Sequence, residues 1–240
     1  MTDIAMNKGR ATKSGRYFYL IMSLLLAAIA AFGFSHTVPF DLAPPGLPPL
    51  LILHAAVFVA WVLLFVVQPV LITSGSLALH RTLGWAAIGL VAAMVVLGAM
   101  AILFALHADS VPFFYPHGLF IVRGLMGLIL FAGLIAAGIM TRRRPEWHKR
   151  LMLCASIVVI LPGLERALPV PAMGSSWPFI VDGIADLVAL AGPVRDLITR
   201  GRVHPAYYWG VGAIVAGQAL VDILAPSRLA VWMLLAVGAR

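Results

Sequence analysis

The sequence predicts an all-α integral membrane protein, a helical bundle of seven transmembrane helices with a short C-terminal interfacial segment. Three observations carry that reading. Seven apolar runs divide the chain, at 15–34, 50–72, 83–106, 120–140, 151–168, 177–197 and 206–224. About 20 residues at roughly 1.5 Å rise each cover the roughly 30 Å hydrocarbon core, and most of the runs reach that length. Hydrophobic residues make up 62% of the chain and charged residues 11%, too few to coat a water-soluble domain of 240 residues. The segments between runs are basic at every second turn, the pattern of cytoplasmic loops under the positive-inside rule. Barrel strands would alternate with period two, and these runs do not.

Taken in order, residues 1–14 form a polar cytoplasmic tail, and residues 15–240 form one transmembrane bundle with no separate soluble domain. Four basic residues ahead of the first run resemble a signal peptide. The run is longer than the usual apolar stretch of such peptides and further runs follow, so it is read as an uncleaved first span. The connection at 36–49 carries Pro39, Pro44, Pro45, Pro48 and Pro49 and is expected to be stiff, extended and external. The connections at 73–81, 141–150 and 192–205 are internal; those at 107–117 and 169–176 are external. The last apolar run, 229–237, is too short to span and is expected to lie in the external interface. Glycines recur in the third run (Gly84, Gly89, Gly98) and the fourth (Gly124, Gly127, Gly133, Gly138), which predicts that these two helices sit centrally.

The net charge of +8 is topological. Of 17 Lys and Arg residues, 13 fall within 8–16, Arg81, 142–150 and 195–202, and seven crossings put all four segments on one side. No basic face is interleaved with aromatics, so nucleic acid is not the expected partner; the lipid bilayer is. Cys154 is the sole cysteine, which excludes disulfides within the chain and cysteine-based zinc sites. Phosphate loops, the His-Glu-x-x-His motif and the Gly-x-Ser-x-Gly elbow are all missing. A retinal protein is excluded because the seventh run has no lysine for a Schiff base.

Chemistry is therefore sought among polar residues in or beside hydrocarbon, where each is costly. An outer group comprises His54, His117, Arg123, Glu165, Arg166, Asp182, Asp186 and Asp222. Asp182 and Asp186 are four apart and share a helix face. This group reads as an ion-pair network tying helices together, as a cofactor pocket, or as a site where His54, Asp182 and Asp186 hold Zn²⁺ or another divalent metal. An inner group comprises His80-Arg81 and His148-Lys149-Arg150. His148 and Arg166 are 18 residues apart, five helical turns, so one stripe joins the two groups. His54, Trp61 and Gln68 recur every seven residues and form a second stripe, expected to face protein rather than lipid.

One histidine stands near the N-terminal end of each of spans two to five. Alternating direction would bring His54 to His117 at the external side and His80 to His148 at the internal side. Each pair could ligate a haem b iron axially, with Arg123 and Arg166 available for the propionates, and two stacked haems would pass electrons across the membrane to a redox partner. The other readings are a metal-dependent membrane enzyme and a transporter or accessory subunit whose buried charges serve packing or a proton path.

Over residues 50–168 this arrangement resembles cytochrome b561-type proteins, whose four-helix core pairs histidines of alternate helices; the resemblance implies haem b as the cofactor. Most of the chain is similar to uncharacterised multi-pass bacterial membrane proteins grouped as a family of unknown function. The matching strings are His54, Gln68-Pro69, His80-Arg81-Thr82-Leu83-Gly84, Trp147-His148-Lys149-Arg150-Leu151-Met152, Arg166, Asp186 and Thr199-Arg200-Gly201-Arg202-Val203-His204-Pro205. That similarity implies the bacterial inner membrane.

Overall fold

The computed structural model describes the backbone of residues 2–35 and 46–238 and the side chains of 17–35 and 46–238. Residues 36–45, with Pro39, Pro44 and Pro45 of the expected stiff connection, lie outside the described residues, as do the side chains of the polar tail 1–14. The described chain is all helical: α1 (Thr2–Ser35), α2 (Pro49–Thr73), α3 (Leu77–His107), α4 (His117–Met140), α5 (Pro145–Ala167), a 3₁₀ segment (Val170–Ser176), α6 (Trp177–Arg200), α7 (Pro205–Leu224) and α8 (Arg228–Ala236). Six of these, α1 to α4, α6 and α7, are long and apolar enough to cross a membrane. The exception, α5, carries Glu146, Lys149, Arg150, Glu165 and Arg166 within its 23 residues. The nine-residue α8 is short of a span and packs on α4 and α7.

Local chemistry sets the helix boundaries. Proline occupies the first or second position of α2, α5, α6 and α7, where its missing N–H has no intrahelical partner to lose. Gly201 ends α6 in the left-handed conformation (φ 66°), donating its N–H to the Leu197 carbonyl. Two helices begin well before their apolar runs. α3 starts at Leu77 and α5 at Pro145, so His80 and His148 stand on the first turns of helices rather than in loops. The reason is that headgroups and water can hydrogen-bond a helix end outside the hydrocarbon, so a helix need not stop where its apolar run does.

Two rings of helices share α4 and α5. In the first, α1 packs on α2, α2 on α3, α3 on α4, α4 on α5 and α5 on α1. In the second, α5 and α4 both pack on α7, and α6 packs on α5 and α7. The four helices of 50–168, expected to form a core of their own, are joined by a fifth, α1, which bridges α2 to α5. The α1–α5 crossing is close: a Cβ built on Gly33 would stand 1.8 Å from the Gly163 carbonyl oxygen.

Of the two helices that their glycines placed centrally, α4 is shared by both rings and α3 belongs to the first ring alone; the most buried helix is α5. Gly84, Gly89, Gly127 and Gly133 face open space. Gly98 and Gly124 do serve the α3–α4 contact, against Leu128 and Ile102, and Gly138 serves the α4–α5 contact, against Met152. Charge decides the matter. A helix with ionised residues at both ends is stable in hydrocarbon only if protein surrounds it, whereas a glycine is tolerated on a lipid face.

Candidate functional site

The ends of the bundle differ in charge. The basic end carries the α2–α3, α4–α5 and α6–α7 turns, with Arg81, Arg142–Arg144 and Arg200–Arg202. At this end Arg150 is fully buried. Its guanidinium donates from Nε to Asp196 Oδ2 (2.9 Å) and from Nη2 to Asp196 Oδ1 (2.6 Å), a bidentate pair between α5 and α6. Its Nη1 donates to the Glu146 carbonyl oxygen (2.8 Å) and carboxylate Oε2 (2.7 Å). Glu146 also receives Lys149 and Arg200. Burial alone would raise the Glu146 carboxyl, but hydrogen bonds from Lys149, Arg150 and Arg200 hold it down at about 2. The His204 backbone N–H donates to Asp196 Oδ2 (3.2 Å), and His204 Nδ1 accepts from the Ala206 N–H (3.1 Å), capping α7. Burial lowers the His204 pKa, and the nearby Arg150 lowers it further.

A matching network closes the opposite end. Arg123 of α4 donates from Nε to Glu165 Oε1 of α5 (2.9 Å), and from Nη1 and Nη2 to the two oxygens of Asp182 on α6 (3.0 and 2.8 Å). Tyr115 donates to Glu165 Oε1 (2.9 Å), and the Trp177 ring lies 5.7 Å from the guanidinium carbon. Arg123, Glu165 and Asp182 are all buried. Asp186 accepts from Gln218 Nε2 of α7 (3.1 Å).

The four histidines at the starts of spans two to five separate into a pair and two single residues. His80 of α3 and His148 of α5 face each other at the basic end with ring centres 6.4 Å apart and planes at 86°. His148 Nδ1 is 2.9 Å from the Gly138 carbonyl oxygen. A carbonyl only accepts, so Nδ1 carries the proton and Nε2 keeps a free lone pair. His80 Nδ1 is buried and has no hydrogen-bond partner in the protein. His54 stacks on Phe58 (4.4 Å between centres), whereas His117 approaches Asp109 at 3.9 Å on the surface. The structure therefore brings His80 to His148 and does not bring His54 to His117.

Among the described residues, no group of three or more His, Cys, Asp and Glu side chains converges on one point. Asp182 gives both oxygens to Arg123, Asp186 turns to Gln218, and His54 lies on α2, so the His54–Asp182–Asp186 set is not assembled. Arg123 is committed to its carboxylates. Arg166 donates to the Pro162 carbonyl (2.9 Å) and lies over Phe34 at 4.7 Å, at the end away from the histidine pair.

The α2 stripe is the third feature. His54 Nδ1, Trp61 Nε1 and Gln68 Oε1 are each buried without a protein hydrogen-bond partner, as is Ser156 Oγ on α5. Trp61 and Ser156 are each 3% exposed and line one cavity of about 10 Å³ together with Leu26, Phe65, Val159 and Ile160.

No protein-family model, no curated protein and no solved structure matches this chain. Sequence reasoning placed Arg123, Glu165 and Asp182 in one group but missed Tyr115, Trp177 and Asp196. Asp196 carried a usable signal, as a lone carboxylate in the basic 195–202 segment. Tyr115 and Trp177 flank proline-containing loops and carried none.

His80 and His148 are the two imidazoles of the basic end that lie close enough for their separation to be compared with that of two ligands of one metal ion. A metal about 2 Å from one nitrogen of each imidazole sets the ring centres about 6 Å apart, close to the spacing of His80 and His148. His148 Nε2 is left free by the bond of Nδ1 to the Gly138 carbonyl, and His80 Nδ1 is buried without a hydrogen-bond partner. Both rings are half-buried at the rim of the first helix ring.

Proposed function

We propose that this chain is a seven-span protein of the bacterial inner membrane, N-terminus cytoplasmic, that carries electrons through one haem b held by His80 and His148 at its cytoplasmic end. The observation carrying the reading is the histidine pair, 6.4 Å apart on two different helices, with the His148 tautomer set by Gly138. Counting α5 as the seventh span is supported by its burial and by its two charged ends. Arg150 and Glu165 belong to the opposite networks and stand 15 residues, about 22 Å, apart along the helix. Placing the basic end in the cytoplasm follows the positive-inside rule.

A haem b bound here would supply one-electron redox chemistry. The chain's own residues would do the rest. His80 and His148 present nitrogens from α3 and α5, and Gly138 fixes one ring. Arg81 beside His80, and Arg142 resting over Trp85 at 5.5 Å, put positive charge at that end for carboxylate side groups. Because His54 and His117 stand apart, the reading is of one haem and not a stacked pair. An electron partner would then dock on the cytoplasmic face.

Protein purified from haem-replete cells is expected to show a Soret band and, once reduced, a sharp α-band. His148→Ala should abolish both, and His54→Ala should leave them intact. A colourless wild-type protein sinks the proposal.

A further inference from the structure

Arg195 of α6 is a cation whose neighbour is an aromatic ring instead of a carboxylate. Its guanidinium carbon lies 4.8 Å from the ring centre of Phe18 on α1, and it makes no ion pair among the described residues. The other cations where α5 meets α6 all have one. Glu146 receives Lys149, Arg150 and Arg200, and Asp196 receives Arg150 and Arg200. Four cations thus meet two carboxylates, and Arg195 shares neither. Its depth sharpens the point. Arg195 stands five residues, about 8 Å, short of the end of α6, beside the exposed apolar side chains of Val194, Leu197 and Ile198. A cation at that level, where lipid replaces water, calls for an anion.

The surroundings form a groove. α1 and α6 both pack on α5 and little on each other, and Arg195 reaches across from α6 to α1. Phe18 stands edge to face with Tyr19, ring centres 5.2 Å apart, and the Lys149 ammonium of α5 lies 5.3 Å from the Tyr19 ring. Two cations from two helices therefore flank one aromatic pair. Toward the middle of the membrane the two walls turn apolar. Ala191 and Val188 come four and seven residues before Arg195, Ile21 and Leu25 three and seven after Phe18, and all four are at least partly exposed. A ligand that matches this groove has a negative head at the level of Arg195 and hydrocarbon below it.

We propose that this groove binds one anionic phospholipid, with its phosphodiester on Arg195 and Lys149 and its acyl chains along α1 and α6. A guanidinium offers a planar set of donors that matches phosphate oxygens, and no described carboxylate occupies those of Arg195. The surplus of positive charge favours a headgroup that is anionic overall, whereas a choline lipid brings a cation of its own. A soluble phosphate would leave the apolar walls uncovered, so lipid is the source that fits. The inference does not depend on what the histidine pair holds.

The experiment follows the melting temperature of full-length protein in a neutral detergent. It is titrated with dioleoyl phosphatidylglycerol, with phosphatidylcholine of the same chains, and with soluble glycerol phosphate. Phosphatidylglycerol should raise the melting temperature by about 5 °C near saturation, and the other two should raise it little. Arg195→Gln should remove most of that increment. Arg202→Gln, an equal change of charge in the exposed α6–α7 turn, should keep it. An equal shift from either control ligand, a full increment in Arg195→Gln, or its equal loss in Arg202→Gln overturns the proposal. Native mass spectrometry of the wild-type protein supplies a readout that needs no variant. From an equimolar mixture of the two lipids, one phosphatidylglycerol should stay bound per chain, about tenfold over phosphatidylcholine. Adducts in the proportions of the mixture also overturn the proposal.

Discussion

Arg150 is a cation with no exposed surface, held by Asp196 through two hydrogen bonds and by Glu146 through two more. Such a pair adds little net stability over an apolar pair, but removing one partner leaves the other charge stranded. Arg150→Met should therefore cost about 3–5 kcal/mol, measured by thermal or denaturant unfolding in detergent. Arg150→Met combined with Asp196→Leu should recover much of the loss. A single variant as stable as wild type would show that Asp196 reaches water. Arg123 stands in the same relation to Glu165 and Asp182, with one cation facing two carboxylates. At this scale the sequence is informative about residue type and depth and silent about partners. Arg123, Glu165 and Asp182 were grouped by depth alone, and Asp196 was not grouped with Arg150 at all. The partner of a buried charge is chosen by which helices touch, and sequence spacing carries no record of that.

The elements were largely legible, because a spanning helix announces itself by length and apolarity. Their boundaries were less so: α3 and α5 each take up part of a connection that composition assigned to a loop. Packing order was the least legible. Glycine count favoured α3 and α4, yet the closest approach is between Gly33 of α1 and Gly163 of α5. Single glycines do not say which helix will use them. The α1–α5 contact supplies a direct test. Gly33→Val places a side chain against backbone that cannot move aside, and should cost about 1–3 kcal/mol in the same unfolding assay. Gly127→Val, with nothing within 4 Å of its new Cβ, should be near neutral. Equal effects of the two substitutions would contradict the crossing described.

At the scale of the molecule, two rings share a charged central helix, and their basic end responds to pH as a unit. Glu146 has its pKa depressed from 4.5 to about 2, so it stabilises the fold above about pH 4.5 and loses that contribution as pH falls toward 2. His204 is also depressed, from its ordinary 6.5. The unfolded chain therefore takes up a proton there more readily, and the contribution of His204 is present above pH 6.5 and declines below it. The two act in the same direction, so the melting temperature should fall as pH is lowered from 7 to 3. Glu146→Gln should flatten the lower part of that profile, and a melting temperature that rises on acidification would refute the assignment.

The sequence by itself determined that the chain is helical and belongs in a membrane, where along each span its polar residues lie, and that His54, Trp61 and Gln68 share a face. These properties are local, since rise per residue, helical period and apolar length are set by the backbone and the bilayer wherever the helix sits. Only the tertiary structure decided that α1 closes a ring with α2 to α5, that His80 meets His148 while His54 and His117 stay apart, and that every charge buried between α4 and α6 is paired while the neutral atoms on α2 are not. Those outcomes depend on contacts between residues far apart in the chain. In hydrocarbon such contacts are selected by shape at small residues and by the need of each buried charge for an opposite one.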